Sequence, residues 1–261
     1  MSIIAHAYAG TSEADRPAQR AAVALAASSG SKLLSVHADD GSPGQSPPER
    51  ASVVLAEWGR DPASVEHEVR IQGGGTDPVE VVLGLLERAE PDLVVMGTSQ
   101  RRGSLRAMLE SRAEAIAAHL AVPALIVPTE GRPLVDEKGA IQLRRVLVPA
   151  GDEAATRAAL ERVGWLVDLA RAEDVQGELL HVAVGGELVP ELTPPDHPRT
   201  TWSRRVRSGP LTAGIADEAR RADVIVMATR GHDSVMDWIF GTHTERVLRK
   251  LDCPLLIVPM G

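Results

Sequence analysis

Aromatic side chains are scarce in this sequence: among 261 residues stand one Phe, one Tyr and four Trp, 2% in all. Stacking platforms for single-stranded nucleic acid need several aromatic faces in one groove, so the composition argues against that function. Positive charge is in deficit as well. Lys and Arg number 28 against 36 Asp and Glu, for a formal net charge of −8, and the basic residues are scattered among acids. Diffuse attraction to a phosphate backbone is therefore opposed, and nucleic acid is not an expected partner. Cys253 is the only cysteine, which excludes an intrachain disulfide. No apolar run approaches the roughly 20 residues of a membrane-spanning helix. The opening Met1-Ser2-Ile3-Ile4-Ala5-His6 lacks the basic flank and apolar stretch of a secretion signal. A cytoplasmic setting is expected, with small molecules or proteins as partners.

What is present is an ordinary globular composition, 44% hydrophobic and 25% charged, in a chain long enough for two domains of about 130 residues. A repeat supports that division. Pro91-Asp92-Leu93-Val94-Val95-Met96-Gly97-Thr98 returns as Ala222-Asp223-Val224-Ile225-Val226-Met227-Ala228-Thr229, and Val122-Pro123-Ala124-Leu125-Ile126-Val127-Pro128 returns as Cys253-Pro254-Leu255-Leu256-Ile257-Val258-Pro259. Both pairs are 131 positions apart (227 − 96 and 254 − 123). Leu33-Leu34-Ser35-Val36 returns as Leu179-Leu180-His181-Val182 at offset 146, so the first half carries 15 extra residues (146 − 131) between these landmarks. The implied domains are 1–130 and 143–261, with a linker over Thr129 to Leu143.

Within each half, short runs of Val, Ile and Leu without polar alternation are separated by helical stretches rich in Ala, Arg and Glu. That is the pattern of a parallel sheet covered by helices on both faces. Strands are predicted near Ile3 to His6, Lys32 to His37, Val65 to Ile71, Leu93 to Gly97 and Ala124 to Val127. In the second half they fall at Arg145 to Pro149, Glu178 to Ala183, Ser203 to Arg207, Val224 to Ala228 and Leu255 to Val258. Helices are predicted over Glu153 to Arg171, Leu211 to Arg221 and Thr242 to Lys250. The fold class is thus α/β: two tandem open parallel five-stranded sheets flanked by helices and related by a pseudo-two-fold axis. The last strands, Ala124 to Val127 and Leu255 to Val258, are short apolar edges that need covering, and they are expected to cover one another.

The stretch Met227-Ala228-Thr229-Arg230-Gly231, nine residues, then Gly241-Thr242-His243-Thr244-Glu245 carries the chemistry. A strand ends, the chain crosses the carboxyl edge of the sheet, and a helix begins whose unpaired N–H groups and dipole suit an anion. Gly231 and Gly241 would let backbone approach a phosphate, and Arg230 adds charge.

Strand-G-x-x-G, nine residues, then G-[S/T] resembles the nucleotide loop of universal stress proteins. The Leu-Leu-His-Val strand, the Val-Met-[Gly/Ala]-Thr strand end and the closing Pro-x-Leu-Ile-Val-Pro strand agree with that family, and the resemblance covers nearly the whole chain. It implies a Rossmann-like fold of the adenine nucleotide alpha hydrolase type and a stress-response protein that binds ATP or AMP, ATP with Mg where present. It implies no catalysis and no required cofactor. Pairing of whole chains into a homodimer is compatible with it. Carried over to this chain, Met227, Ala228, Arg230, Gly231, Gly241, Thr242, His243 and Thr244 form the phosphate loop. Val182 offers backbone to the base, and the turn Pro149-Ala150-Gly151-Asp152 lies near the nucleoside.

Two positions depart from the pattern. Ala228 replaces the first loop glycine, and Gly151 stands where the family has an aspartate, with Asp152 one place late. Loss of that carboxylate removes a charge-assisted hydrogen bond worth on the order of 1.5–3 kcal/mol, so weakened or altered affinity is expected. The first half departs further. The same spacing puts Gln100 and Glu110-Ser111 in its loop and Tyr8 at the acidic nucleoside position, and this half reads as structural. An interaction scaffold with both loops empty is the competing expectation.

Other residues have plainer readings. Ser111 with Glu114, and Thr242 with Glu245, spell capping boxes that start a helix with or without ligand. His37 and His181 read as satisfied strand-end histidines. His232 and His243 lack zinc-site spacing. Gly73-Gly74-Gly75 reads as a turn and Cys253 as a packed thiol. No Walker A, H-x-G-H pair or evident acid/base couple points to an enzyme.

Overall fold

The computed structural model describes residues 1–8, 10, 12–41, 45–73, 77–98, 112–183, 192–229 and 252–260. In the first half the elements run β1 (Ile3–Ala7), α1 (Ser12–Ser29), β2 (Lys32–Asp39), α2 (Ala51–Glu57), β3 (His67–Gly73), α3 (Pro78–Glu87), β4 (Leu93–Thr98), α4 (Arg112–His119) and β5 (Ala124–Pro128). The second half runs β6 (Arg145–Ala150), α5 (Glu153–Ala170), β7 (Val175–Ala183), β8 (Thr200–Ser208), α6 (Leu211–Ala219), β9 (Val224–Thr229) and β10 (Leu255–Pro259). The predicted helix over Thr242 to Lys250 lies outside the described residues.

The two five-stranded halves join edge to edge into one ten-stranded sheet, ordered β3-β2-β1-β4-β5-β10-β9-β6-β7-β8. All neighbours pair in parallel except β5 and β10, which meet antiparallel with Leu125 opposite Leu256, Leu255 opposite Ile126 and Ile257 opposite Ala124. Leu125 and Leu256 are equivalent under the repeat (256 − 125 = 131). The pseudo-two-fold axis therefore passes between them, and each half covers the other's apolar edge. The outer edges, β3 and β8, carry Glu68 and Arg70, and Arg204, Arg205 and Arg207; such charges discourage pairing with further strands.

Alternation along the central strands feeds two cores. Leu93 and Val95 face a layer with α1, α2 and α5, whereas Val94 and Met96 face a layer with α3, α4 and α6. The first core is continuous across both halves, from Ile4, Leu33 and Leu125 to Val148, Val163 and Leu256. The Ala-rich buried face of α1 allows close helix packing, and Ser28 Oγ donates to the carbonyl of Ala170 at the end of α5 (2.9 Å). Local chemistry sets the helix ends. Asp77 caps α3 by accepting from Val79 N (2.8 Å) ahead of Pro78, and Asp152 caps α5 by accepting from Ala155 N (3.1 Å).

The stretch predicted as a linker is a docked segment. Leu134, Val135 and Leu143 are buried, and Val135 bridges to Ile141. Asp136 Oδ1 accepts from Lys138 N and Ala140 N (2.9 and 2.8 Å). Gly139, at φ +78°, lies against Trp58, and Arg60 donates to its carbonyl (2.9 Å). Arg132 donates to the carbonyls of Arg220 and Ala222 in the second half (2.5 and 3.1 Å). The segment is thereby bonded to both halves.

Candidate functional site

In each half the chain runs outward from a central strand and then returns to that strand's other side. β1 leads to β2 and β3 before β4 pairs back with β1; β6 leads to β7 and β8 before β9 pairs back with β6. Each reversal leaves a crevice at the carboxyl ends of the strands, where open α/β sheets bind ligands.

In the second half, this edge gathers part of the predicted set. Pro149 and Ala150 end β6, Gly151 and Asp152 form the turn into α5, Val182 lies near the end of β7, and Met227 and Ala228 lie near the end of β9. Ala150 stands beside His181 in register, next to Val182. Val182 is buried, its side chain against Gly214 of α6, and it pairs in register with Arg207 of β8. Met227 and Ala228 pair with Ile257 and Val258 of β10. Arg230, Gly231, Gly241, Thr242, His243 and Thr244 lie outside the described residues, as do Gln100, Glu110 and Ser111.

The turn after β6 explains why Asp152 is a poor stand-in for the family's aspartate. Its carboxylate accepts from Ala155 N, its carbonyl accepts from Thr156 Oγ1 (2.7 Å), and Gly151 N donates to that same hydroxyl oxygen (3.1 Å). Asp152 thus serves the helix start. Gly151 is exposed, and a Cβ built on it would meet nothing within 4 Å.

The corresponding position in the first half is filled. Tyr8 directly follows β1 as Gly151 follows β6, and its side chain is only 4% exposed. Its ring meets the edges of His37 (5.3 Å between centroids) and His6 (5.9 Å), and its hydroxyl lies 3.2 Å from Ser46 Oγ. Burial pushes the Tyr8 hydroxyl pKa up. His37 is held by the Tyr8 carbonyl (2.9 Å) and by Gln45 Oε1 (3.3 Å). Gln45 and Ser46 lie between β2 and α2, within the stretch that is longer in the first half, and close over the end of β1. A cavity of about 40 Å³ remains, lined by Tyr8, His37, Val82, Met96 and Ile116 among others, with no Lys or Arg among the described residues of its wall.

Two of the plainer readings meet different outcomes. Burial pushes the Cys253 thiol up to about 12, which suits a packed thiol rather than a nucleophile. His181 is the exception to the satisfied-histidine reading. It is 7% exposed, and neither ring nitrogen has a hydrogen-bond partner among the described residues.

A buried polar chain went unforeseen. Ala51 N donates to His67 Nδ1 (2.9 Å), which leaves the His67 proton on Nε2, 2.9 Å from Ser35 Oγ. Ser35 Oγ is 3.4 Å from His6 Nδ1, and His6 Nε2 is 2.8 Å from Asp15 Oδ2. The last contact is close but not aligned as a hydrogen bond. Burial, with His6 and Arg50 nearby, pushes the His67 pKa down to about 4, in keeping with a neutral ring that accepts from Ala51. The Asp-His-Ser sequence of contacts is not an accessible nucleophile: His6 and Ser35 are 0% exposed and Asp15 1%. The available signal was polar His6 and Ser35 in adjacent apolar strands, which pair directly. Among the described residues no group of three or more His, Cys, Asp or Glu is arranged to hold a metal, and no helix is long and apolar enough to cross a membrane.

The model of the universal stress protein family matches residues 1–128 and 191–259. No curated protein matches the chain. Among solved structures, a universal stress protein from Archaeoglobus fulgidus DSM 4304 is similar at 18% identity, over 99% of this chain and 96% of that one, with a TM-score of 0.65. A functionally unknown protein from Pseudomonas aeruginosa PAO1 is similar at 12% identity, over 99% and 92%, with a TM-score of 0.62. At these identities the structural likeness establishes the fold.

Proposed function

Because the chain belongs to the universal stress protein family, we propose that it is a stress-response protein whose second half binds one adenine nucleotide, ATP or AMP, and that it acts through protein partners. The observation that carries this reading is the contrast at the first crevice turn. Among the described residues Gly151 leaves open space, whereas Tyr8 fills the equivalent position with a buried ring. The nucleoside would enter between β6 and β9, with Val182 backbone beside the base. The triphosphate, with Mg when ATP is bound, would lie on the Gly231 to Thr244 loop.

The proposed role is binding without turnover, in the cytoplasm, and steady ATP hydrolysis by the pure protein would contradict it. A scaffold with no nucleotide is the second reading. The engagement of Asp152 as a helix cap favours it, since the crevice then lacks the nucleoside carboxylate.

Calorimetry with ATP and AMP tests the proposal, with one site per chain expected. Gly241→Glu would put a carboxylate near the phosphates, a repulsion of about 1–4 kcal/mol at roughly 4 Å, and should weaken binding about five- to a thousand-fold. Two sites per chain, or binding untouched by Gly241→Glu, would place the ligand elsewhere. No binding at all would favour the scaffold.

A further inference from the structure

A second cavity, of about 70 Å³, opens at the opposite end of the second half's strands, beneath α6. That is room for about five water-sized groups at roughly 10–15 Å³ each, which limits a ligand to a few non-hydrogen atoms. Arg145 and Leu147 of β6, Gln176 and Glu178 of β7, and Glu218 and Arg221 at the end of α6 line it. Alternate residues of a strand share one face, so these strand side chains look toward α6 together.

Its charges are arranged in two layers. In the wall, Glu218 is 3% exposed, with Arg207 Nε 2.5 Å from Oε1 and Arg205 Nε 3.7 Å from Oε2. The Arg207 contact is ionic without hydrogen-bond alignment, and Glu218 Oε1 is buried with no hydrogen-bond partner. Glu178 Oε2 accepts from Arg205 Nε (2.9 Å) and keeps further lone pairs. At the mouth, Arg145 is exposed and makes no ion pair among the described residues. Arg221 is 64% exposed and reaches Glu218 only at 3.7 Å.

We infer that this cavity binds a small zwitterion, its carboxylate between Arg145 and Arg221 and its ammonium donating to Glu178 and Glu218. A simple anion in the cavity would face both carboxylates. A simple cation would face Arg145 and Arg221. A ligand carrying both signs meets acceptors and donors together, and the Leu147 side chain gives an apolar floor for a short methylene chain. The site is remote from the nucleotide crevice, since Arg145 begins β6 and Ala150 ends it.

Calorimetry on the full chain with glycine, β-alanine and 4-aminobutyrate tests the inference, with propionate and propylamine as half-ligands. At least one zwitterion should bind tighter than about 1 mM, with both half-ligands at least tenfold weaker. Arg145→Gln, at an exposed position, should weaken that zwitterion at least tenfold, leaving the melting temperature and the ATP titration unchanged. Glu178→Gln should weaken it as well. The inference is overturned if no zwitterion reaches about 1 mM, if propionate or propylamine matches it, or if Arg145→Gln has no effect.

Discussion

Replacing Gly151 with Asp should tighten AMP or ATP binding about 2- to 30-fold without loosening the fold. A side chain at this position meets nothing within 4 Å, and the backbone φ lies outside the left-handed range, so an L-residue fits. The Gly151 N–H that donates to Thr156 Oγ1 is kept. A carboxylate here would restore the nucleoside contact implied by the family, a charge-assisted hydrogen bond worth about 1.5–3 kcal/mol. Against it stands repulsion from Asp152, about 1 kcal/mol at roughly 4 Å in water-like surroundings. The net gain of about 0.5–2 kcal/mol gives the stated factor, at tenfold per 1.4 kcal/mol. The added charge also lies near the amino end of α5, where an anion stabilises a helix by about 0.3–1 kcal/mol, so the melting temperature should hold or rise. Calorimetry with AMP and a thermal melt decide the matter together. Unchanged or weaker affinity in a variant that melts normally would show that the nucleoside does not lie against this turn.

Gly139→Ala should destabilise the protein by about 2–4 kcal/mol in urea unfolding, since its Cβ would fall 2.3 Å from Trp58 Cδ2 at a backbone φ of +78°. His67 takes up a proton near its ordinary 6.5 when unfolded but only near 4 when folded. Stability should therefore fall as pH drops between those values, by about 1–3 kcal/mol allowing for partial exposure of the ring, and His67→Gln should flatten that slope. Leu256→Lys would bury a charge at the pseudo-two-fold axis, at a position 0% exposed. It should cost more than about 3 kcal/mol and lower a single calorimetric transition, because one core spans both halves; two separate transitions would contradict that coupling.

The central strands were legible because buried parallel strands are written as uninterrupted apolar runs, as Leu93 to Met96 and Leu255 to Val258 are. The outer strands were legible only in part. β7 begins at Val175, three residues before the predicted Glu178, and β8 spans Thr200–Ser208 rather than Ser203 to Arg207. Gln176 and Gly177 break the apolar run, yet the backbone there is paired with β6 on one side and β8 on the other. The docked linker was hidden for a similar reason: its polar and glycine-rich sequence looks loose, while Gly139 is needed for its approach to Trp58. Of the candidate site, the glycine contrast at Gly151 was visible in the sequence. The second role of Asp152 was not, because a helix cap and a ligand carboxylate are spelled alike.

The difference between the halves follows from where the crevices lie relative to what holds the molecule together. The joint between β5 and β10 and the shared core of α1 and α5 use strand interiors and helix faces; the crevices use only strand ends. A crevice residue can therefore change without weakening either the joint or the core. In the first half such changes produce packing: Tyr8 turns into the crevice, His37 bonds its carbonyl, and Gln45 and Ser46 from between β2 and α2 close over both. Gly10, at φ +93°, permits this closure, since a Cβ there would approach His37 Cε1 to 3.0 Å and Gln45 Cγ to 3.2 Å. Emptying Tyr8 alone would consequently leave a polar, capped space rather than a nucleotide site. Among the described residues nothing covers the open turn at Gly151 within reach of its Cβ, which is the physical reason to look for the ligand in the second half.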